Sequence, residues 1–379
     1  VTEPRSTTRS ADSIDQSPGP TPRLWLLLAS LPILVGVMLQ KVGQIVFISR
    51  LDRILDPITM AARSIVLWNP YADMGSIQYQ SVGYWIPFDA VFSLGVITRT
   101  PTWITERILI SALMIVAMWG CVRLADALSI GTRPFRVLGG LGYALSAVIV
   151  SRVAQQQIFA MGAVFLPWSL VPLVRGSARG STRTAAARSA LAIALMGGAN
   201  AAVTLAMIPI PLLYLLTRAR GPRRASLLRW WFAAVPMAVL WWIIGLRFFG
   251  AYGPNVIQYT ETVGTTTGPT PVFEVIRGTA DWFARLAING VALPSGNSLA
   301  FRTIPIIGTT LLAGLGLAGL SSRRLPDRRF LTIVFLLGVA AVGGGFGGLF
   351  GNPLTEQYRT VLGGVLAPFR NIYKFQAWV

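Results

Sequence analysis

The 379-residue chain contains no histidine, a single cysteine and only two lysines. Without histidine there is no Ser-His-Asp triad, no imidazole base and no histidine-ligated zinc. Cys121 lies inside the apolar run Met114–Val122 and has no disulfide partner within the chain, so packing is its expected role. Charge is scarce too: 12% of residues are charged, where a soluble domain carries about 25%. Acid–base chemistry near neutral pH therefore falls to the 14 carboxylates. Any divalent metal would need oxygen ligands, which favours magnesium, manganese or calcium.

What the chain has in abundance is hydrocarbon: 53% of its residues are hydrophobic and the mean hydropathy is +0.60. Apolar runs occupy Leu24–Leu39, Ile108–Val122, Val137–Val150, Ile158–Val174, Ala190–Leu216, Trp230–Leu246, Ile304–Leu320 and Leu331–Phe350. A helix needs about 20 residues to cross the hydrocarbon core, so the shorter runs imply tilt or partial insertion. The pattern predicts an all-α, polytopic membrane protein: a helical bundle with additional helices in its external loops. Residues 1–22 are polar and are expected to form a disordered cytoplasmic tail, leaving 23–379 as one transmembrane domain. The chain starts without methionine and stops within a polar, aromatic stretch, and so reads as a fragment of a longer protein.

The net charge is +19, and every basic residue except Lys41 and Lys374 is arginine. Three arginine clusters stand out: Arg175, Arg179, Arg183 and Arg188; Arg218, Arg220, Arg223, Arg224 and Arg229; and Arg323, Arg324, Arg328 and Arg329. In so apolar a chain they mark cytoplasmic loops rather than a nucleic-acid surface. Membrane lipid and an acidic cytosolic protein such as acyl carrier protein both suit them. This orientation leaves segments 46–106 and 248–303, and the stretch after Phe350, outside the cell. Ala190–Leu216 joins two clusters on the same side, so it must enter and return. Met196-Gly197-Gly198-Ala199-Asn200 is the natural break, and a single span with one misassigned loop is the competing reading.

The external segments carry most of the acids. Asp52 follows the first apolar run at the membrane boundary, where a base could meet a lipid-borne substrate; it could equally cap a helix. Asp56, just before Pro57, reads more readily as a cap. Asp52 and Asp73 together are a candidate pair for a divalent metal. Gln78, Gln80, Tyr84 and Trp85 combine amides with aromatic faces, as sugar sites do, although an interfacial aromatic belt has the same composition. Arg277, near Glu274 and Asp281, is either a phosphate clamp or a local salt-bridged turn. Arg370 and Lys374 flank Tyr373 and suit either a donor phosphate or a lipid headgroup.

The order "ISRLDRILDP", "LWNPYADMGSIQYQSVGYWIPF", "PTWITERI", "LMGGANAAVTLAMIPIPLLYLLTR", "FEVIRGTADW" and "PFRNIYKF" resembles the N-terminal membrane part of the mycobacterial-type AftD arabinofuranosyltransferase family, from about Leu24 to the end. The resemblance implies a GT-C glycosyltransferase fold with its active site on the outer face of the cytoplasmic membrane. It implies transfer of arabinofuranose, with inversion, from decaprenyl-phospho-arabinofuranose to the arabinan of arabinogalactan or lipoarabinomannan. The family's catalytic carboxylate falls on Asp52. Arg277, Arg370 and Lys374 are then expected on the donor phosphate, and Gln78, Gln80, Tyr84 and Trp85 on the acceptor sugar. Tyr373 stands where the family pattern has histidine, and Gln155-Gln156-Gln157 replaces a serine- and glutamate-containing stretch. Two other readings are a transporter or flippase of a lipid-linked sugar and a non-catalytic scaffold for cell-wall assembly.

Overall fold

The computed structural model of the protein describes residues 19–46, 50–71, 74–78, 80–253, 255–287, 290–349 and 351–379. Residues 1–18 of the polar tail lie outside these. Residues 19–22, by contrast, are docked rather than disordered. Thr21 is buried and gives its backbone N–H and hydroxyl to the Asp126 carboxylate at 3.1 and 2.7 Å. Arg123 and Arg136 complete the cage at 3.0 and 2.9 Å. A buried carboxylate must be paired and hydrogen-bonded, and here the tail supplies part of that pairing.

The first helix, α1 (Arg23–Met38), follows at once. Its 16 residues span about 24 Å at 1.5 Å each, short of the ~30 Å hydrocarbon core. The segment between α1 and the next long helix contains short elements: α2 (Asp52–Leu55), α3 (Pro57–Ser64), an antiparallel pair of two-residue strands, β1 (Trp68–Asn69) and β2 (Ser76–Ile77), and α4 (Ala90–Ile97). Strand register pairs Trp68 with Ile77 and Asn69 with Ser76. The long helix α5 (Thr102–Leu128) carries the chain back. Its Arg107 donates to the carbonyls of Met38 and Lys41, capping the end of α1 from the neighbouring helix.

Next come α6 (Arg133–Ala144) and α7 (Ala147–Val153), bent by 46° against each other, and α8 (Gln157–Ala178). The run expected to enter and return does break where glycine permits it. Helix α9 (Thr182–Leu195) stops before Gly197, which has φ +77°, and Asn200 caps α10 (Ala201–Met207) by accepting from Val203 N–H at 3.3 Å. Helix α11 (Pro209–Thr217) then leads to α12 (Pro222–Tyr252). The break is buried, with Gly83 pressed on it so tightly that a Cβ there would sit 2.1 Å from the Ala199 nitrogen. Non-helical backbone at such depth is tolerated only when protein covers it.

The segment after α12 contains α13 (Val263–Thr267), α14 (Val272–Arg277) and α15 (Pro294–Phe301). The chain finishes with α16 (Thr303–Ser321), α17 (Arg328–Gly343), α18 (Thr355–Gly363) and a 3₁₀ segment, Ile372–Trp378. Among the described residues, α5, α8, α12 and α16 are each long and apolar enough to cross a membrane, and the bent α6–α7 pair qualifies as one further broken span. Two apolar cores meet at α8. One gathers α9, α11, α12, α17 and Trp378; the other gathers α1, α4, α5 and α7. Helix α16 buries only Thr309 and turns its leucines outward, as a helix does when its solvent is lipid.

Candidate active site

Asp52 opens α2 and leaves its side chain 45% exposed. Arg50 grips both carboxylate oxygens, at 3.1 and 2.8 Å. That bond holds the Asp52 carboxyl below the usual carboxylate range, against the opposing effect of desolvation. Asp56, one turn on, ends α2 and caps α3, accepting from Thr59 N–H at 3.3 Å ahead of Pro57. Two aspartates of similar sequence setting thus have different work: one is half-exposed and gripped by a cation, the other closes a helix end.

Beneath Asp52 lies a dry ion pair. Arg53 meets Asp89 at 2.5 Å and Ser64 at 3.1 Å, with both charged side chains inaccessible to solvent. Burial pushes the Asp89 carboxyl up, while Arg53 pulls it back. The Tyr84 ring packs against both arginines, 4.4 Å from the Arg53 guanidinium carbon and 5.4 Å from that of Arg50. Tyr84 therefore braces the arginines and is buried, whereas its neighbour Trp85 is about half exposed. Gln78 spends its amide on the carbonyls of Arg63 and Val66, at 2.6 and 2.8 Å, and accepts from Ser81. Its work here is holding the turn, and Gln80 begins the 3₁₀ turn Ser81–Tyr84.

A second polar cluster forms around the C-terminal motif. Arg370 reaches Glu261 at 3.9 Å and bonds Thr260; Asn371 bonds Glu261 and accepts from the Trp282 indole at 2.8 Å. Lys374 is 8% exposed, and the only hydrogen bond of its ammonium among the described residues goes to the Pro368 carbonyl at 3.1 Å. Burial pushes its ammonium down to about 8, opposed by Glu261 and reinforced by Arg152 and Arg370. Arg152 pairs with Asp281 and Gln156 and stacks 4.0 Å over Tyr373, the residue that departs from the family pattern. Arg152, Phe159, Asp281, Tyr373, Lys374 and Gln376 line one small cavity. The sequence reading missed Arg152; its signal is a lone arginine ending an apolar helix, outside every arginine cluster.

Arg277 stands apart from that cavity. Its guanidinium is bonded to Glu274 at 2.8 Å, the Thr309 hydroxyl at 3.0 Å and the Leu299 carbonyl at 2.8 Å. Asp281 has turned to Arg152 instead. Each of the three nitrogens bonds a protein group, making Arg277 a lock between α14, α15 and α16, and the residue also lines the apolar groove of Leu312 and Phe335. The Arg152 cluster lies at the start of α8. There Gln156 bonds Arg152, while Gln157 lines a small cavity with Gly83, Phe88 and Ala199.

The metal expectation rests on Asp52 and Asp73. Asp73 lies outside the described residues. Both Asp52 oxygens face Arg50, with Arg53 next in line, a setting that repels a cation. Among the described residues no group of three or more acidic, cysteine or histidine side chains is placed to hold a metal ion. On the Asp52 side of that pair the setting therefore does not favour a cation.

A multi-span helical bundle with polar clusters on the segments between its long helices defines a multi-pass membrane protein. Residues 33–379 match the family described as Alpha-(1->3)-arabinofuranosyltransferase, N-terminal GT-C domain, and the chain belongs to that family. It is 34% identical over 345 residues to an Alpha-(1->3)-arabinofuranosyltransferase of Mycolicibacterium smegmatis, covering 90% of this chain and 24% of the relative. A protein of the same name from Mycobacterium tuberculosis is 32% identical over 361 residues, covering 94% and 25%. The cryo-EM structure of arabinofuranosyltransferase AftD from Mycobacteria superposes with a TM-score of 0.70 at 28% identity, covering 95% of this chain and 24% of that one. The chain thus spans about a quarter of the length of these relatives.

Proposed function

We propose that this chain supplies the catalytic membrane domain of an arabinofuranosyltransferase, acting at the outer face of the cytoplasmic membrane. The donor is arabinofuranose on a polyprenyl phosphate such as decaprenyl phosphate; the acceptor is cell-wall arabinan. One observation carries this reading. An apolar groove of about 580 Å³, walled by Leu312, Leu315, Leu331 and Phe335, shares Val148, Gly278, Gln376 and Ala377 with the cavity of Arg152 and Lys374. A hydrocarbon path ending at buried cations matches a lipid carrying one phosphate.

The chemistry follows from charge. Asp52, ionised at neutral pH, accepts the proton of the acceptor hydroxyl as that oxygen attacks the anomeric carbon. The bond from the anomeric carbon to the phosphate oxygen breaks, configuration inverts, and polyprenyl phosphate departs with the bonding electrons. Lys374 and Arg370 neutralise the charge that grows on the leaving phosphate. Trp85 offers an exposed aromatic face to the acceptor sugar, with Gln80 beside it and Gln78 and Tyr84 holding the loop in shape. The test is transfer of labelled arabinofuranose from the lipid donor by membranes carrying the full-length protein or its Asp52→Asn variant. Full activity in the variant overturns the assignment of the base.

A further inference from the structure

A groove of about 490 Å³ runs between α8 and α9 on the arginine-rich face, which the positive-inside rule assigns to the cytoplasm. Its volume falls in the range of small-molecule sites, about 300–1,000 Å³. One half is apolar, lined by Phe165, Trp168, Val171, Leu191 and Leu195; the other holds Arg175, Arg179 and Arg188. No acid lines it. Among the described residues, none of the three guanidinium groups has a hydrogen bond, ion pair or ring contact. Elsewhere on this face the chain does pair its charges: Asp126 with Arg123 and Arg136, and Asp327 with Arg218.

The groove is built rather than incidental. At Gly176 the two helices touch, since a Cβ there would lie 2.5 Å from the Ala185 methyl. Arg223 donates to the carbonyls of Gly176 and Gly180 at 2.7 and 2.6 Å and so fixes the end of α8 that carries Arg175 and Arg179. Arg188 lies seven residues beyond the Ser181 cap of α9, about 10 Å along the helix axis. That position sets Arg188 beside the apolar half of the groove formed by Leu191 and Leu195. Three arginines at the edge of an apolar floor are complementary to a lipid: phosphate oxygens on the guanidinium groups, acyl chain on the floor.

We propose that this groove binds a phospholipid of the cytoplasmic leaflet whose headgroup carries two phosphates. Arg175, Arg179 and Arg188 hold the phosphates, and one acyl chain lies along Trp168, Val171, Leu191 and Leu195. The site is independent of the glycosyl-transfer reading, because none of these residues takes part in that chemistry.

The experiment uses the full-length protein in nanodiscs of phosphatidylcholine containing a minor fraction of cardiolipin, with retained lipid measured by native mass spectrometry. Wild type is expected to keep cardiolipin through washing. In the Arg175→Gln, Arg179→Gln, Arg188→Gln triple variant, affinity should fall by about a hundredfold, three near-surface arginines being lost. Leu191→Trp, at a position 62% exposed and so tolerant of bulk, fills the apolar half without altering charge and should also release the lipid. Arg220→Gln, outside the groove, should not. Equal retention by wild type and triple variant overturns the proposal, as does equal retention of phosphatidylcholine. So does displacement of cardiolipin by inorganic phosphate, which marks a free-anion site. A cross-link from a cysteine at position 191 to another segment of the full-length protein also overturns it, by showing that protein fills the groove.

Discussion

The Arg50 guanidinium faces the Asp52 carboxylate with two parallel hydrogen bonds, at 3.1 and 2.8 Å, on a part of the molecule where Asp52 remains 45% exposed. The bond favours the charged form of Asp52. A carboxyl depressed in this way is ionised above the ordinary carboxylate range and loses its charge only as pH falls through the lowered value. Transfer should therefore not titrate on Asp52 above about pH 5. Arg50→Gln removes the largest cause of the depression, so the acid limb of the pH–rate profile should move to higher pH. An unmoved limb would show that Arg50 does not set the charge of the base.

Asp52→Asn should cut transfer by about 10²–10⁴-fold, the usual contribution of a positioned base, while leaving thermal stability close to wild type because the side chain is half-exposed. Asp56→Asn should change neither, since asparagine caps a helix as well as aspartate does. Measuring both variants in one transfer assay separates the chemical aspartate from the structural one.

Lys374 predicts an alkaline limb. Burial holds its ammonium at about 8, so its positive charge is present below that pH and fades as pH rises through it. The KM for the lipid donor should rise across this window. Lys374→Arg keeps the charge and should flatten the rise; Lys374→Met should raise KM below that pH and converge with wild type above it. A KM that climbs identically in the arginine variant would remove Lys374 from the phosphate site.

Arg277 should behave as a fastener. With its nitrogens bonded to Glu274, Thr309 and Leu299, Arg277→Gln removes three hydrogen bonds, while Glu274 keeps Arg285 and the Thr279 hydroxyl. A loss of about 1–3 kcal/mol is expected from acceptors left without their donor, read as a lowered unfolding midpoint, with donor KM unchanged in the folded fraction. A large rise in KM without loss of stability would return Arg277 to the phosphate.

The Arg53–Asp89 pair gives a double-variant test. Removing Asp89 alone leaves Arg53 buried and uncompensated, at a cost of about 3–5 kcal/mol. Removing both, as Arg53→Met with Asp89→Leu, should recover much of that stability. Thermal unfolding of the three proteins checks it, and additive losses would mean that the two charges are not coupled.

Much of the architecture was legible in the order of residues, for a plain reason. In a bilayer the backbone must satisfy its own hydrogen bonds, so an apolar run is a helix before any packing is considered. The runs beginning at Leu24, Ile108, Ile158, Trp230 and Ile304 fall on helices, the run beginning at Leu331 is helical as far as Gly343, and the Met196–Asn200 break appears as local turn chemistry requires. Asp56 was readable as a cap because its partner lies three residues away. What depended on distant partners was not readable. Arg277 looked available for a phosphate until Thr309 and Leu299 came beside it from α16 and α15. Arg152 gave little sign of belonging with Lys374, more than two hundred residues along the chain, until the C-terminal 3₁₀ segment docked on the bundle. Residue type and spacing report hydrophobic burial and local hydrogen bonds. Whether a charged side chain is spent on protein or left for a ligand is decided by which groups the tertiary fold brings within about 3 Å of it.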